Sequence, residues 1–200
     1  MDSGKVLLIL CLLTVSFVFA KVMTNKSAQK DGEEENYTVE SKNERFEIRN
    51  YGSSVVASVD LGSGTYDQNS NRGFRKLANY IFGGNQESQQ IAMTSPVMME
   101  LGDSSSMHFF MPNGYELENL PTPNNEEVLL EEIAPKRVAA IQFGGWANQT
   151  KIEKYQKKLL EYLDEAGIAY TDKFYFLGYN APYEVANRRN EVIVELAQAE

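Results

Sequence analysis

Residues able to do acid–base, nucleophilic or metal chemistry are few in this 200-residue chain. His108 is the one histidine, and the one cysteine, Cys11, lies in an apolar N-terminal run. Any Ser-His-Asp or Cys-His arrangement therefore depends on His108, which stands within the aromatic run Met107–Met111. The sequence has no His-Glu-x-x-His pair, calcium-binding loop or carboxylate cluster, so no side-chain metal site is expected. These features favour a binding protein and not an enzyme.

Soft apolar side chains are instead concentrated in one stretch. Of the six methionines after the initiator, five lie within about twenty residues: Met93, Met98, Met99, Met107 and Met111. Tyrosine and phenylalanine together number 21, from 11 and 10. Such a stretch can form ordinary core, or it can line a pocket for a flat hydrophobic ligand. The nearest basic groups for acidic substituents on a ligand are Arg72, Arg75 and Lys76.

The elements that would position these residues come from a duplicated unit. FEIRNYGSSVVASVDLG (46–62) aligns with LLEEIAPKRVAAIQFGG (129–145) at an offset of 83 residues. Both segments alternate as strands do, and each is interrupted halfway, at Tyr51-Gly52 and at Ala134-Pro135. We interpret LGSGT (61–65) as a strand-end turn, not a phosphate loop, and RRNEV (188–192) as the start of the last strand.

A helix and two strands complete each half. The first helix is predicted to begin at Asn71, with an apolar stripe at Phe74, Leu77, Ala78 and Ile81, and to end at Gly83-Gly84. The second carries its stripe from Ile152 to Ala166 and ends at Gly167. Strands are predicted over 91–101 and 107–111, and over 174–179 and 191–196. The chain is therefore predicted to be α+β with mostly antiparallel pairing, its sheets curled together and its helices outside or at a cleft.

The N-terminus predicts the cellular route. Lys5 followed by the apolar run Val6–Phe19 is typical of a signal peptide over residues 1–20. A polar leader follows over 21–36, and the folded domain is predicted over 37–197, with halves at about 37–115 and 125–197. Sequons at Asn25, Asn36 and Asn148 fit passage through the endoplasmic reticulum. No membrane span is expected after cleavage, and a net charge of −9 argues against nucleic-acid partners.

Several motifs resemble those of the SOUL, or heme-binding protein, family. They are FEIRNYGSSVVAS, GFRKLANYIFGGNQESQQIAMTSPV, FFMP, VAAIQFGGWA and YNAP…RRNEV, and they extend across about 37–196. The resemblance implies a distorted β-barrel of two tandem βαββ repeats with two flanking helices. It implies non-catalytic binding or carriage of heme or related tetrapyrroles. With the signal peptide and sequons, the chain is similar to a secretory branch found in plants, with an extracellular, apoplastic or vacuolar destination.

The resemblance also implies where a ligand would bind. Some members are thought to use a histidine in the early strands, but Phe46–Leu61 contains none here. Others are thought to use a hydrophobic groove beside the first helix, where basic residues meet the propionates. The residues of this chain that fall in that region are Arg72, Arg75, Lys76, Leu77, Tyr80, Met93 and Met99.

Two other interpretations stay open at the level of sequence. The chain could be an enzyme or effector-type binder for another small hydrophobic molecule, with Glu100, Tyr175 or Glu184 as a buried base of raised pKa. It could also be an interaction protein whose methionine-rich face docks a partner, in which case that face should be exposed.

Overall fold

The computed structural model describes residues 36–181 and 183–197. The predicted signal peptide, and all of the predicted leader except Asn36, lie outside these residues. The described chain forms two α-helices, α1 (Tyr66–Ile81) and α2 (Gln149–Ala166), and a short 3-10 helix at Leu117–Asn119. Its nine strands are β1 (Tyr37–Lys42), β2 (Glu47–Tyr51), β3 (Ser54–Gly62), β4 (Val97–Leu101), β5 (Ser105–Phe110), β6 (Val128–Ile133), β7 (Lys136–Gly144), β8 (Tyr170–Gly178) and β9 (Arg189–Leu196).

All nine strands belong to one antiparallel sheet, with the order β1-β2-β7-β9-β8-β4-β5-β3-β6. Apart from β1, each strand of the first half has a counterpart in the second half: β2, β3, β4 and β5 correspond to β6, β7, β8 and β9. If every strand is replaced by its counterpart and the order is read backwards, the same order results. The predicted duplication is therefore visible as a pseudo-twofold axis between β4 and β8. In each half the leading strand pairs across the molecule, β2 with β7 and β6 with β3. The curled sheet is barrel-like but does not close. Together with the two helices it makes an α+β fold.

The two faces of the sheet carry two separate apolar clusters. The helix-facing cluster includes Ala57, Val59, Met107 and Phe109 together with Leu77 of α1. The opposite face, on the inside of the curled sheet, holds a smaller cluster: Met98, Val138, Ala140, Tyr175, Leu177, Tyr179 and Ile193. Side chains of successive strand residues point to opposite faces, so His108 and Phe110 lie on the inner face while Met107 and Phe109 meet the helices.

Helix α1 begins earlier than predicted. Its N-cap is Thr65, whose hydroxyl accepts from the backbone N–H of Gln68, while the Gln68 side chain accepts from the backbone N–H of Thr65. This reciprocal capping box satisfies two exposed amide groups, which is why the prediction of a start at Asn71 is wrong. The predicted ends are confirmed, because Gly83 (φ +99°) follows α1 and Gly167 (φ +66°) follows α2 in conformations that favour glycine.

The predicted strands are present, but several begin or end at residues other than those predicted. The turns at Tyr51-Gly52, Ala134-Pro135 and 61–65 are confirmed, as is the position of RRNEV at the start of β9. The strand predicted over 91–101 begins only at Val97. Pro96, which has no N–H to donate to the sheet, is preceded by a cis peptide bond, and residues 91–96 form an irregular segment instead. Strand β1 was not predicted, because its side chains are almost all exposed and polar.

The N-termini of the two helices meet near the pseudo-twofold axis. The Tyr66 N–H donates to Gln149 Oε1 (2.6 Å), and the Gln149 N–H donates to Asp67 Oδ2 (3.3 Å). Tyr66 and Gln149 are separated by 83 residues, the offset of the repeat. Within the part of the chain that the structure describes, no helix combines the length and apolar character needed to span a membrane.

Candidate ligand-binding site

Helix α1 carries five of the seven predicted site residues and divides them between its two sides. Leu77 and Tyr80 face the sheet and are fully buried, and the Tyr80 hydroxyl donates to the Pro121 carbonyl (3.1 Å). Burial raises the pKa of Tyr80 to about 12. Met99 of β4 lies in the same apolar cluster as Leu77. These three side chains are part of the core between α1 and the sheet.

The three basic residues lie towards solvent but are held differently. The Arg72 guanidinium donates to the Leu61 carbonyl and to Asn69 Oδ1 (2.9 Å), which ties it to the end of β3. Lys76 Nζ lies 2.8 Å from Glu127 Oε1, and most of the Glu127 side chain is exposed. Because water solvates the Glu127 carboxylate, this ion pair is weak, and Lys76 can exchange Glu127 for a ligand carboxylate at little cost.

Arg75 is the uncommitted cation of the helix. It is exposed, and it makes no hydrogen bond or ion pair to another residue within 36–181 and 183–197. Phe82 follows seven residues later and therefore lies on the same side of the helix, about 10 Å along its axis. Phe82 is 62% exposed, which is unusual for phenylalanine. A free guanidinium and a bare aromatic ring thus share one side of α1.

The chain after α1 turns back and flanks this side. Phe82 forms an isolated antiparallel bridge with Gln90, and the Ile91 N–H donates to the Ile81 carbonyl (2.8 Å). Two residues further on, Met93 is 40% exposed. Gly84 makes the return possible, because a Cβ there would lie 2.6 Å from the Asn79 backbone oxygen. We call the surface formed by Arg75, Lys76, Asn79, Phe82 and Met93 the α1 surface.

The other four methionines of the stretch 93–111 are core residues. Met98, Met99, Met107 and Met111 are each at most 7% exposed, so the methionine-rich stretch is not the exposed face that an interaction protein requires. The void inside the curled sheet measures about 10 Å³, which is room for about one water molecule. An open groove of about 400 Å³ lies elsewhere, between the β1–β2 turn and the C-terminal end of α2, where Arg45 bonds Glu165.

The inner face of the sheet holds a buried ion pair that the sequence did not reveal. Glu191 is fully buried and accepts from Arg49 (2.6 and 3.1 Å), from Arg189 (3.0 and 3.1 Å) and from the Tyr179 hydroxyl (3.0 Å). Burial alone would raise the pKa of Glu191, but the hydrogen bonds and charges of the two arginines hold it below its ordinary value. This carboxylate is ionised and fully bonded, and it is not poised as a general base.

The three residues suggested as an enzymatic base make different hydrogen bonds, although Glu100 and Tyr175 lie opposite each other on β4 and β8. Glu100 is half-buried and accepts from the Ser106 hydroxyl (3.2 Å). Tyr175 donates to Glu195 (2.6 Å), and its pKa is raised, first by burial and then by that carboxylate. Glu184 lies in the β8–β9 loop and accepts from Asn180 (2.7 Å). These groups serve separate local hydrogen-bond networks.

His108 is buried on the inner face, away from the α1 surface. Its Nε2 lies 2.7 Å from Ser106 Oγ, but its Nδ1 is 3.8 Å from Glu131 Oε1 and has no hydrogen-bond partner among the described residues. A catalytic triad needs a carboxylate bonded to that nitrogen to orient the imidazole. Burial lowers the pKa of His108 to about 4, with a smaller contribution from Lys136 and an opposing one from Glu131.

A family model described as SOUL heme-binding protein matches residues 32–195. The chain belongs to the SOUL heme-binding protein family. The resemblance predicted from the sequence motifs is thereby confirmed. The protein named heme-binding protein 2 from Homo sapiens is 30% identical over 156 residues, covering 74% of this chain and 76% of that protein. Heme-binding protein 1 from Xenopus laevis is 27% identical over 155 residues, covering 74% and 81%.

Solved structures share the fold of this SOUL domain at low sequence identity. The C-terminal domain of EcmrR superimposes with a TM-score of 0.60 at 8% identity, covering 82% of this chain and 99% of that one. A hydrolase from Listeria innocua gives a TM-score of 0.57 at 9% identity, with coverage of 79% and 94%. At such identities the likeness extends to the SOUL architecture alone.

Sequence reasoning named Arg75 and Met93, which the structure places on the α1 surface, but it did not name Phe82 or the Arg49–Glu191 pair. Phe82 continues the spacing of Phe74 and Ala78 at intervals of four, a signal that was available. No comparable signal marked Arg49 and Glu191, because they are 142 residues apart and meet only through the β2–β7–β9 pairing. Whether the seven predicted residues bind a ligand stays a prediction of the SOUL resemblance.

Proposed function

We propose that this SOUL domain is a non-catalytic binder and carrier of heme or a related tetrapyrrole, held on the α1 surface. The observation that supports this most directly is the exposed Arg75 guanidinium on the same side of α1 as the exposed Phe82 ring. An amphiphilic ring with carboxylates at one edge matches that distribution of charge and apolar area. The names of the curated relatives, heme-binding proteins 1 and 2, agree with this choice of ligand.

The energetics of such a surface are adequate without an enclosed cavity. Covering a few hundred Å² of apolar ligand and protein surface contributes several kcal/mol at about 25 cal/mol per Å². Charge-assisted hydrogen bonds from Arg75 and Lys76 to the carboxylates orient the ligand. Each contributes about 1.5–3 kcal/mol to binding. Association itself costs several kcal/mol, so we expect affinity in the micromolar range.

The test is a titration of hemin and of protoporphyrin IX into the protein, followed by the Soret band and by quenching of tyrosine and tryptophan fluorescence. Saturable binding at micromolar concentration or tighter is expected for both ligands. Because His108 faces the inside of the sheet, removing the iron should change the affinity only a few-fold, and His108→Ala should barely alter it. Absence of saturation with either ligand would refute the proposal.

Variants locate the binding surface. Arg75→Ala and Phe82→Ala should each weaken binding roughly tenfold, which corresponds to about 1.4 kcal/mol. Lys154→Ala is the matched control, since it removes an exposed cation from the outer side of α2. An equal loss in Arg75→Ala and Lys154→Ala, with no loss in Phe82→Ala, would mean that general charge, and not the α1 surface, controls binding.

We also propose that the protein is a plant-type glycoprotein of the secretory pathway, destined for the apoplast or vacuole. The support is the signal-peptide pattern over residues 1–20 and the three sequons. N-terminal sequencing of the protein secreted by eukaryotic cells should begin at Lys21. Retention of residues 1–20 on the folded protein would contradict this route.

A further inference from the structure

The turn between β7 and α2 presents the chain's one tryptophan to solvent. Trp146 is 55% exposed, and the Arg188 guanidinium lies over its ring at 4.2 Å from the centroid. Arg188 is itself held by the carbonyls of Ala181 (3.0 Å) and Glu184 (2.6 Å). The indole is therefore supported from one side, while much of its surface is open.

The backbone of this turn is equally well fixed. Lys151 Nζ donates to the carbonyls of Gly144 (2.6 Å) and Trp146 (3.5 Å), and Asn190 Nδ2 donates to the Gly145 carbonyl (2.8 Å). An exposed aromatic ring on a rigid turn loses little conformational entropy when something covers it. Such a ring is a prepared docking surface.

Asn148 follows two residues later and begins α2. Its Oδ1 accepts from the Lys151 N–H (2.9 Å), which fixes the side-chain amide as the helix N-cap. Its Nδ2 makes no hydrogen bond to another residue that the structure describes, and the side chain is exposed. Asn148-Gln149-Thr150 is a sequon, so the free nitrogen is the atom that a glycan would occupy.

Asn36, the other sequon asparagine that the structure describes, is already hydrogen-bonded within the fold. Asn36 Nδ2 donates to the Ser53 carbonyl (2.7 Å) and to Ser54 Oγ (3.0 Å). Gly52 approaches the same side chain so closely that a Cβ there would lie 3.1 Å from Asn36 Oδ1. Glycosylation replaces one of the two amide hydrogens, so a glycan at Asn36 removes a hydrogen bond between the start of β1 and the β2–β3 turn. A glycan on Asn148 Nδ2 would not remove a hydrogen bond among the described residues.

We infer that Asn148 is the N-glycosylation site best suited to the folded protein, and that Trp146 is the docking surface for its first sugar. This inference rests on the proposed secretory route. Asn148 Nδ2 attacks C1 of a lipid-pyrophosphate-linked oligosaccharide, and the lipid pyrophosphate leaves. The C1–O bond breaks, the N–C1 bond forms, and Nδ2 loses one proton. Oδ1 is unchanged, so the N-cap hydrogen bond to Lys151 is kept.

The geometry allows the sugar to reach the indole. Two residues of extended chain span at most about 7 Å, and the first sugar is bonded directly to the side-chain nitrogen. The C–H face of an N-acetylglucosamine ring is apolar and can cover the open part of Trp146, leaving its hydroxyl groups in water. The glycan should then fasten the β7–α2 turn to the first turn of α2.

Site occupancy is tested by peptide mass mapping of the full chain expressed in eukaryotic secretory cells. Asn148 is expected to be modified in most molecules and more completely than Asn36. Thr150→Val removes the sequon but keeps the Asn148 cap, and should abolish this glycan. Thr38→Val, the matched change at the other sequon, should leave it unchanged. Secreted protein with Asn148 bare would overturn the inference.

The role of Trp146 is tested by removing the glycan with an amidase, which converts the Asn148 side chain to an aspartate, still a good N-cap. As the one tryptophan, Trp146 reports directly on the site. Deglycosylation should shift its emission to the red, increase quenching by acrylamide by about twofold and lower Tm by a few degrees. In Trp146→Ala the glycan should still be attached but its removal should leave Tm unchanged. Identical emission before and after digestion would refute the docking.

A second experiment distinguishes an error in the proposed secretory route from an error in the proposed glycosylation site. In a second chain, residues 1–20 are replaced by an established signal peptide. Modification of Asn148 only in that chain would contradict the native route and support the site inference. An unmodified Asn148 in both secreted chains would overturn the site inference, whatever the leader does.

Discussion

At the scale of single residues, His108 links the stability of the fold to mildly acidic pH. Its pKa is about 4 in the folded state against an ordinary value of 6.5, and burial is the main cause. The unfolded chain therefore binds a proton between these values that the native state rejects. The stability contributed by neutral His108 is fully present above pH 6.5 and is lost as the pH falls towards 4.

We predict that the free energy of unfolding falls by about 3 kcal/mol between pH 6.5 and pH 4 through this one group, at 1.36 kcal/mol per pKa unit. His108→Gln should remove most of that decrease, whatever it does to stability at neutral pH. Urea unfolding at the two pH values measures it. The same decrease in both proteins would show that carboxylates, and not His108, account for it.

The buried pair of Arg49 and Glu191 gives a second prediction at this scale. Glu191→Gln leaves a buried guanidinium partly unpaired, and the free energy of unfolding should fall by about 3–5 kcal/mol. Adding Arg49→Met should recover part of this loss, because the two changes then remove both charges together. Urea unfolding of the two single variants and the double variant measures the coupling.

The control for this prediction is the pair formed by Arg137 and Glu40. It is also bidentate, with distances of 2.8 and 2.7 Å, but its side chains are 42% and 39% exposed. Glu40→Gln should cost far less than Glu191→Gln, because water solvates the charges that remain. Equal losses would mean that burial is not what makes the inner pair important.

At the scale of elements, the close contact between α1 and the sheet depends on Gly73. A Cβ at this position would lie 3.0 Å from Leu61 Cδ1 and 3.2 Å from Met107 Cβ. Leu61 can move, but the Met107 Cβ is fixed by the backbone of β5. Helix α1 therefore lies as close to β3 and β5 as a glycine allows.

Gly73→Val should reduce the free energy of unfolding by about 2–3 kcal/mol, since overpacking forces α1 away from the sheet. Asn71→Ala on the exposed side of the same helix is the control, and should be neutral or slightly stabilising because alanine favours helix. Thermal and urea unfolding measure both. An unchanged stability in Gly73→Val would mean that the contact relaxes freely.

The elements also show what sequence patterns can and cannot predict. Alternation and the 83-residue offset predicted β2, β3, β6 and β7, because each has one face against the core. The start of α1 was misplaced although the sequence carries the capping-box pattern Thr65-x-x-Gln68 that marks it. Strand β1 was missed since pairing with β2, and not burial, holds it in the sheet. The Phe82 ring could be found by spacing, but its exposure depends on tertiary packing.

At the scale of the whole molecule, the exchange of leading strands makes the two halves interdependent. Strand β2 pairs with β7 of the second half, and β6 pairs with β3 of the first. Each half alone would present unpaired strand edges to water. In the first half β2 would keep only β1 as a partner, and in the second half β6 would have none. The duplicated unit is a structural repeat but not an independent domain.

We therefore predict that neither fragment, 37–115 or 116–197, folds alone, and that the two together recover the sheet. Circular dichroism and gel filtration of each fragment and of the mixture provide the measurement. A cooperative thermal transition in either isolated fragment would contradict this interdependence.

The strand exchange also fixes the order of events during synthesis. The β2–β7 pairing joins Glu47 to Ala140, so β2 emerges from the ribosome about ninety residues before its partner exists. At about 5–20 residues per second, this interval lasts on the order of 5–20 s. During that time β2 can pair only with β1, and the central part of the sheet can form only after most of the protein has been translated.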